Sequence, residues 1–252
     1  MEPLSDARIA LACLDLTSLD EDDTPATAAA LARRARTPCG TPVALCVNPE
    51  LVIAARMSLM REGIGGVRVA TVVNFPDGSL DADRAERETR RAIAAGADEI
   101  DLVFPWRGFL AGDRGAARDL VARVKARCAE RALLKVILEN AAYPSVFELA
   151  KAASAAVRGG ADFLKTSTGR FSSGATPEAV RCLLDTIAAA GRPVGLKVSG
   201  GIRTLAQARI YIDLAAGAFG RERVVPARFR IGASSLLDEL LIVLAQEPVE
   251  EE

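Results

Sequence analysis

The sequence predicts an α/β fold, a (β/α)8 (TIM) barrel forming a single domain over residues 1–252. Three observations carry this. Eight short apolar runs alternate with alanine- and charge-rich runs of helical character, a complete set for a chain of 252 residues. Nearly every apolar run closes on a residue that can ionise or donate a hydrogen bond. Composition does not shift between the two halves, and no G-x-G-x-x-G follows the first run, which weighs against the alternative of a doubly wound open sheet.

Taken in order, the strand candidates are Ile9–Leu14, Val43–Val47, Val67–Val73, Glu99–Phe104, Leu133–Leu138, Asp162–Lys165, Val194–Val198 and Phe229–Gly232. Each is four to eight residues, mostly aliphatic, as a strand covered on both faces requires. The helical candidates are Pro25–Arg36, Pro49–Glu62, Asp81–Ala95, Asp113–Arg131, Pro144–Arg158, Pro177–Ala190, Leu205–Ala216 and Ser235–Ala245. Thr24-Pro25, Asn48-Pro49 and Thr176-Pro177 place a capping side chain before a proline, whose missing N–H costs nothing in a first turn. Ala95-Gly96-Ala97-Asp98 and Gly159-Gly160-Ala161-Asp162 supply glycine where a helix hands over to a strand.

Bulk properties narrow the chemistry. Lys and Arg total 32 against 33 Asp and Glu, a net charge of -1, so nothing marks a nucleic-acid-binding surface. No apolar run suits a bilayer span, and the first residues carry neither a basic nor an apolar leader pattern. The five cysteines are scattered and form no C-x-x-C, which suits reduced thiols in a cytoplasmic protein. Histidine is absent. Zinc-dependent aldol chemistry and Ser-His sets rest largely on imidazole, so no metal site is expected and proton transfer falls to Asp, Glu, Lys, Cys, Tyr or water.

In a barrel of this kind the chemistry sits at the C-terminal ends of the strands. Lys165 ends an apolar strand and is followed by Thr166-Ser167-Thr168-Gly169-Arg170; Lys197 ends another, just before Gly200-Gly201-Ile202-Arg203. Burial lowers an ammonium pKa, and two neighbouring ammonium groups disfavour charge on each other. That is what an amine needs to attack a carbonyl and form a Schiff base. Asp101 interrupts an apolar strand, where a carboxylate needs a cationic partner; it can hold Lys197 in place, relay protons, or both. Strand alternation puts Lys135 and Glu139 on one face, where Lys135 would neutralise Asp101, Glu139 or Asp15 in a supporting role. Gly200, Gly201 and Arg203, with Gly232, Ser234 and Ser235 at the start of the last helix, offer backbone amides, hydroxyls and a helix N-terminus to an anion. Thr168, Gly169 and Arg170 close that site from one side, Asp15 and Thr17 end the first strand, and Cys46 is expected to line the pocket.

Read together, these segments resemble the deoxyribose-phosphate aldolase family, class I aldolases on a (β/α)8 barrel. The resemblance rests on Leu14-Asp15-Leu16-Thr17, Val72-Val73-Asn74-Phe75-Pro76, Gly96 through Phe104, Lys165-Thr166-Ser167-Thr168-Gly169, Gly195 through Arg203 and Gly232-Ala233-Ser234-Ser235, and it spans nearly the whole chain. It implies reversible cleavage of 2-deoxy-D-ribose 5-phosphate to D-glyceraldehyde 3-phosphate and acetaldehyde, in deoxyribose phosphate catabolism, without a cofactor. By the same resemblance Lys165 is the Schiff-base lysine, Lys197 the neighbour that lowers its pKa, and Asp101 the proton donor and acceptor; Gly169, Gly200, Gly201, Gly232, Ser234 and Ser235 hold the phosphate. It also makes a homo-oligomer, dimer or tetramer, an expectation. Two departures stand out: Asn140 where threonine is common, and a tail, Pro248-Val-Glu-Glu-Glu252, without the tyrosine some members carry. Three other readings remain at this point: a Schiff-base aldolase for a longer sugar phosphate, a pyridoxal-phosphate barrel, and a sugar-phosphate-binding module without chemistry.

Overall fold

The computed structural model describes residues 2–170 and 174–246; the tail that lacks a tyrosine lies outside them. Eight parallel strands close in sequential order: β1 (Leu14–Thr17), β2 (Ala44–Val47), β3 (Arg68–Val73), β4 (Glu99–Val103), β5 (Leu133–Ile137), β6 (Phe163–Lys165), β7 (Gly195–Ser199) and β8 (Phe229–Ala233), with β8 pairing back onto β1. Around them lie α1 (Glu2–Ala12), α2 (Pro25–Ala35), α3 (Val52–Arg61), α4 (Ala82–Ala94), α5 (Trp106–Ala111), α6 (Arg114–Cys128), α7 (Val146–Arg158), α8 (Pro177–Ala188), α9 (Leu205–Phe219) and α10 (Leu236–Leu244). The expected barrel is therefore present as one closed sheet.

Two of the three cap signals act where the sequence places them; at the third, Asn48 makes no cap and donates instead to the Asp20 carbonyl, Pro49–Leu51 form a 3-10 turn, and α3 begins only at Val52. The side chains of Thr24 and Thr176 accept from the backbone N–H groups of Thr27 and Ala179, each with a proline opening the helix. Such a cap is worth about 1 kcal/mol. The first strand departs from expectation: Ile9 to Ala12 continue α1, and β1 begins only at Leu14. Ile9-Ala10-Leu11-Ala12 is apolar enough for a buried strand but equally suits the inner face of a helix packed on α9 and α10, and Ala7, Ala10 and Leu11 are buried there. The short α5 was not expected; it follows β4 directly and packs Phe109 against Phe104, ring centroids 5.4 Å apart.

The two faces of the strands have different contents. Leu16, Leu45, Val69, Ile100, Leu102, Leu134, Val136, Leu164, Leu196 and Ile231 belong to the continuous core shared with the helices. Each such side chain contributes about 1.5–3 kcal/mol of burial. The barrel interior is divided. On β2 and β3 it holds a small apolar cluster of Ala44, Cys46, Ala70 and Val72 under Leu19. Elsewhere it is ionic: Asp15, Glu99, Asp101, Lys135, Lys165, Lys197 and Arg230 are all buried. Their ion pairs join strands that are not neighbours, β4 to β8 and β1 to β7, so they can only cross the inside of the barrel.

Candidate active site

Lys165 and Lys197 face each other across the β6–β7 register. Both Nζ atoms donate to the same atom, Asp101 Oδ2, at 2.8 Å. Lys197 also donates to Asp15 Oδ2 at 2.6 Å, and Lys135 Nζ donates to Asp101 Oδ1 at 2.8 Å. Asp101 thus carries three ammonium partners at once. Position 232 on β8 is glycine for a local reason: a Cβ there would stand 3.1 Å from Lys197 Cε, pressing the lysine out of line.

The two lysines are not electrically equivalent. Burial lowers the pKa of Lys165, and the Lys197 charge adds to that, against the attraction of Asp101. Burial would lower Lys197 too, but Asp101 and Asp15 together outweigh it and hold its pKa above the ordinary value. The mutual repulsion read from the sequence is therefore relieved at one member: Lys165, with a single carboxylate against two for Lys197, is the amine that can be uncharged. Burial also works against ionised Asp101, yet Lys135, Lys165 and Lys197 hold its carboxyl well below the usual range.

Above this cluster opens a cleft of about 290 Å³ at the C-terminal ends of the strands. Lys165 borders it, and Lys197 and Asp101 lie beneath with no exposed surface. The expected anion-binding groups line its walls: Gly200, Gly201 and Arg203 after β7, and Gly232, Ser234 and Ser235 around the start of α10. Gly200 and Gly201 both adopt left-handed backbone (φ +88° and +79°), and a Cβ on Gly200 would stand 2.7 Å from the Cα of Gly174. Thr17, Thr168, Gly169 and Arg170 complete the rim. Arg170 donates to the Leu19 carbonyl, tying the loop after β6 to the loop after β1. Glu139, expected near Lys135, instead accepts from the Thr168 N–H at 3.0 Å and its hydroxyl at 2.6 Å, and so steadies the rim.

Two expected pocket residues lie elsewhere. Asp15 is wholly buried beneath the cleft as the counter-ion of Lys197 and Arg230. Cys46 is also wholly buried, and burial pushes its thiol pKa up. Both point into the barrel, as strand alternation requires, but neither borders the opening. A larger cleft of about 580 Å³ lies outside the barrel beside Ile53, Phe75 and Glu88, away from the buried lysines.

Sequence reasoning missed two members of the charge cluster. Arg230 donates to Asp15 Oδ1 (2.8 Å) and to both oxygens of Glu99 (2.8 and 3.1 Å), and Lys135 lies 2.5 Å from Glu99. Period-two alternation could have found them, since Glu99 precedes Asp101 by two and Arg230 sits inside an apolar strand two before Gly232.

Residues 9–240 match the model of the DeoC/LacD family aldolases. The chain belongs to that family. A deoxyribose-phosphate aldolase from Agrobacterium fabrum is 43% identical over 243 residues, 96% of this chain and 93% of that one. Among solved structures of DeoC-type barrels, a candidate deoxyribose-phosphate aldolase from Toxoplasma gondii ME49 superposes with a TM-score of 0.89 at 26% identity, covering 98% of this chain and 97% of that one. The deoxyribose phosphate aldolase of Aeropyrum pernix, described as tetrameric, gives 0.75 at 26% identity, with 97% of each chain covered.

Proposed function

We propose that this DeoC/LacD family member cleaves 2-deoxy-D-ribose 5-phosphate reversibly to D-glyceraldehyde 3-phosphate and acetaldehyde, residues 1–252 acting as one catalytic domain. The observation that carries the reading is the shared Asp101 oxygen, which sets an amine whose pKa burial lowers beside one whose pKa two carboxylates raise, at the base of an anion-lined cleft. The family match and the Agrobacterium relative support the substrate.

The phosphate binds among Gly200, Gly201, Ser234, Ser235 and the N-terminus of α10, with Arg170 and Arg203 at the rim. Its binding energy fixes the far end of the open-chain sugar over Lys165. The Lys165 amine adds to the C1 aldehyde, and loss of water leaves an iminium. The C3 hydroxyl proton passes to Asp101, which has no surface on the cleft, through a water held with Lys197. As the C2–C3 bond breaks, its electron pair flows into the iminium to give an enamine, and glyceraldehyde 3-phosphate departs. Asp101 holds a proton weakly, so the proton returns readily to C2 by way of Lys197. Water then adds to the iminium, and acetaldehyde leaves with the amine restored. No step draws on a metal or an organic cofactor.

The balanced net charge and the scattered thiols favour a cytoplasmic enzyme with no nucleic-acid partner. Among the described residues no helix is long and apolar enough to cross a membrane. The Aeropyrum tetramer favours self-assembly here too. The test is acetaldehyde release from deoxyribose 5-phosphate, with EDTA present, in the parent and in Lys165→Ala. The parent should turn over and the variant should not, and borohydride added with substrate should fix a two-carbon or sugar adduct on Lys165. Turnover in the variant, or an adduct elsewhere, removes the assignment.

A further inference from the structure

The ion-paired cluster inside the barrel has a definite charge count. Three carboxylates, Asp15, Glu99 and Asp101, face four cations, Lys135, Lys165, Lys197 and Arg230. With Lys165 uncharged the cluster is neutral; with Lys165 charged it carries one excess positive charge. Arg230 and Glu99 supply one charge each to this count, yet neither lines the cleft. They meet across the barrel from β8 and β4 through a two-pronged contact, and Arg230 also lies over the Phe163 ring at 5.5 Å, two residues before Lys165 on β6. Gly195 leaves the room for that ring, since a Cβ there would stand 2.3 Å from it.

We propose that Arg230 and Glu99 are positioning residues of the aldolase site: anchored across the barrel, they hold Asp15 and Lys135 against Lys197 and Asp101, and their opposite charges set whether the remaining amine, Lys165, carries a proton. This rests on Lys165 being the nucleophile. The groups facing Lys165 are Asp101 on β4, Lys197 on β7 and Cys46 on β2, with Asp15 on β1 and Lys135 on β5 behind them. Glu139 at the end of β5 is engaged by Thr168, outside the cluster. Arg68 meets Glu99 from a half-exposed position at the opposite end of the barrel. Lys197, Lys135 and Arg230 are held charged by their carboxylates, so the group left to absorb a change in the count is Lys165.

The experiment is the pH dependence of kcat/KM for deoxyribose 5-phosphate, whose acid limb reports the free nucleophile, in the parent, Glu99→Gln, Arg230→Met, Arg230→Lys and the double variant Arg230→Met/Glu99→Gln. A unit charge two strand spacings away, roughly 10 Å, at an effective dielectric of about 20, moves a pKa by about one unit. Glu99→Gln should move the acid limb about one unit down, Arg230→Met about one unit up, and the double variant should return it to the parent position. Arg230→Lys keeps the charge but loses the two-pronged contact, so it should lower the melting temperature and leave the limb in place. If Arg230→Met does not fold, Glu99→Gln and Arg230→Lys still decide. Limbs that stay put, or that move the same way in both single variants, overturn the proposal. Borohydride trapping in the parent separates the two readings: an adduct on Lys165 with unmoved limbs sinks only the role of Arg230 and Glu99, whereas an adduct elsewhere sinks both.

Discussion

Replacing Lys135 with methionine removes one charge from the barrel interior while keeping most of the stem volume. Lys135 is fully buried and meets Glu99 at 2.5 Å, Asp101 at 2.8 Å and Asp15 at 3.5 Å. Removing one side of a buried ion pair costs about 3–5 kcal/mol. Each carboxylate keeps another cation: Asp101 has Lys165 and Lys197, Glu99 has Arg230, and Asp15 has both Lys197 and Arg230. The loss should therefore fall at the lower end, about 3 kcal/mol, or roughly 6–12 °C in melting temperature for a domain of this size. The sign with pH follows from the shifts. Lys135 has its pKa raised in the fold against the pull of burial, chiefly by Asp101, Glu99 and Asp15. Its contribution is complete below the unfolded lysine value of about 10.4 and fades only as pH climbs through the higher folded value. The carboxyls of Asp15, Glu99 and Asp101 are depressed, so their contribution is complete above about 4 and fades as pH falls through the folded values. Melting followed by circular dichroism from pH 5 to 9 should show a flat gap between parent and Lys135→Met. Adding Glu99→Gln to the variant should recover part of it by removing the carboxylate that has lost its nearest cation. A loss below about 1 kcal/mol, the value of an exposed ion pair, would refute the view that the interior network is held dry and mutually dependent.

Three further outcomes are expected. Lys197→Leu should fold but lose about 10²–10⁴-fold in kcat, the usual worth of a positioned proton-transfer group; single-turnover trapping should show the iminium still forming, slowly. Ser235→Asp adds a negative charge at the start of α10, which a helix N-terminus tolerates. It should raise KM for the phosphorylated sugar at least about tenfold and leave cleavage of unphosphorylated deoxyribose unchanged. Iodoacetamide at neutral pH should label exposed Cys39 first and spare Cys13, Cys46 and Cys128 until the protein unfolds, because burial raises all three thiol pKa values, to about 12 for Cys13 and Cys128; peptide mass spectrometry reads the order.

The sequence made the barrel legible through rhythm. Each strand candidate from β2 to β8 lies within a residue or two of its element, because aliphatic runs of that length between capped helices have few other uses. The first strand was misplaced because Ile9 to Ala12 carry no periodicity that separates a buried strand from the inner side of a helix. Trp106–Ala111 was missed because a six-residue helix interrupted by Gly108 shows less than two turns of pattern. At the site, Lys165 at the end of β6 and Lys197 and Asp101 at the centres of β7 and β4 were legible as the polar members of apolar runs. Depth was not legible. Alternation says that Asp15 and Cys46 point inward, but only the closed sheet shows which layer meets the cleft. Glu99 and Arg230 escaped notice because each stands near the start of its strand, where a charge looks like ordinary solvent contact. Their partners lie on the opposite side of the barrel, a relation no local window contains.

Many closed sheets fill their centre with branched aliphatic side chains; this one fills much of it with ions. Swapping a buried ion set for well-packed hydrocarbon of equal volume often strengthens a protein by 1–4 kcal/mol. A search for sturdier variants that scores folding alone would therefore be drawn to the interior positions of β4, β5 and β8, and would return hardy, inert barrels. Engineering for endurance belongs on the outer helices, leaving the ionic centre untouched.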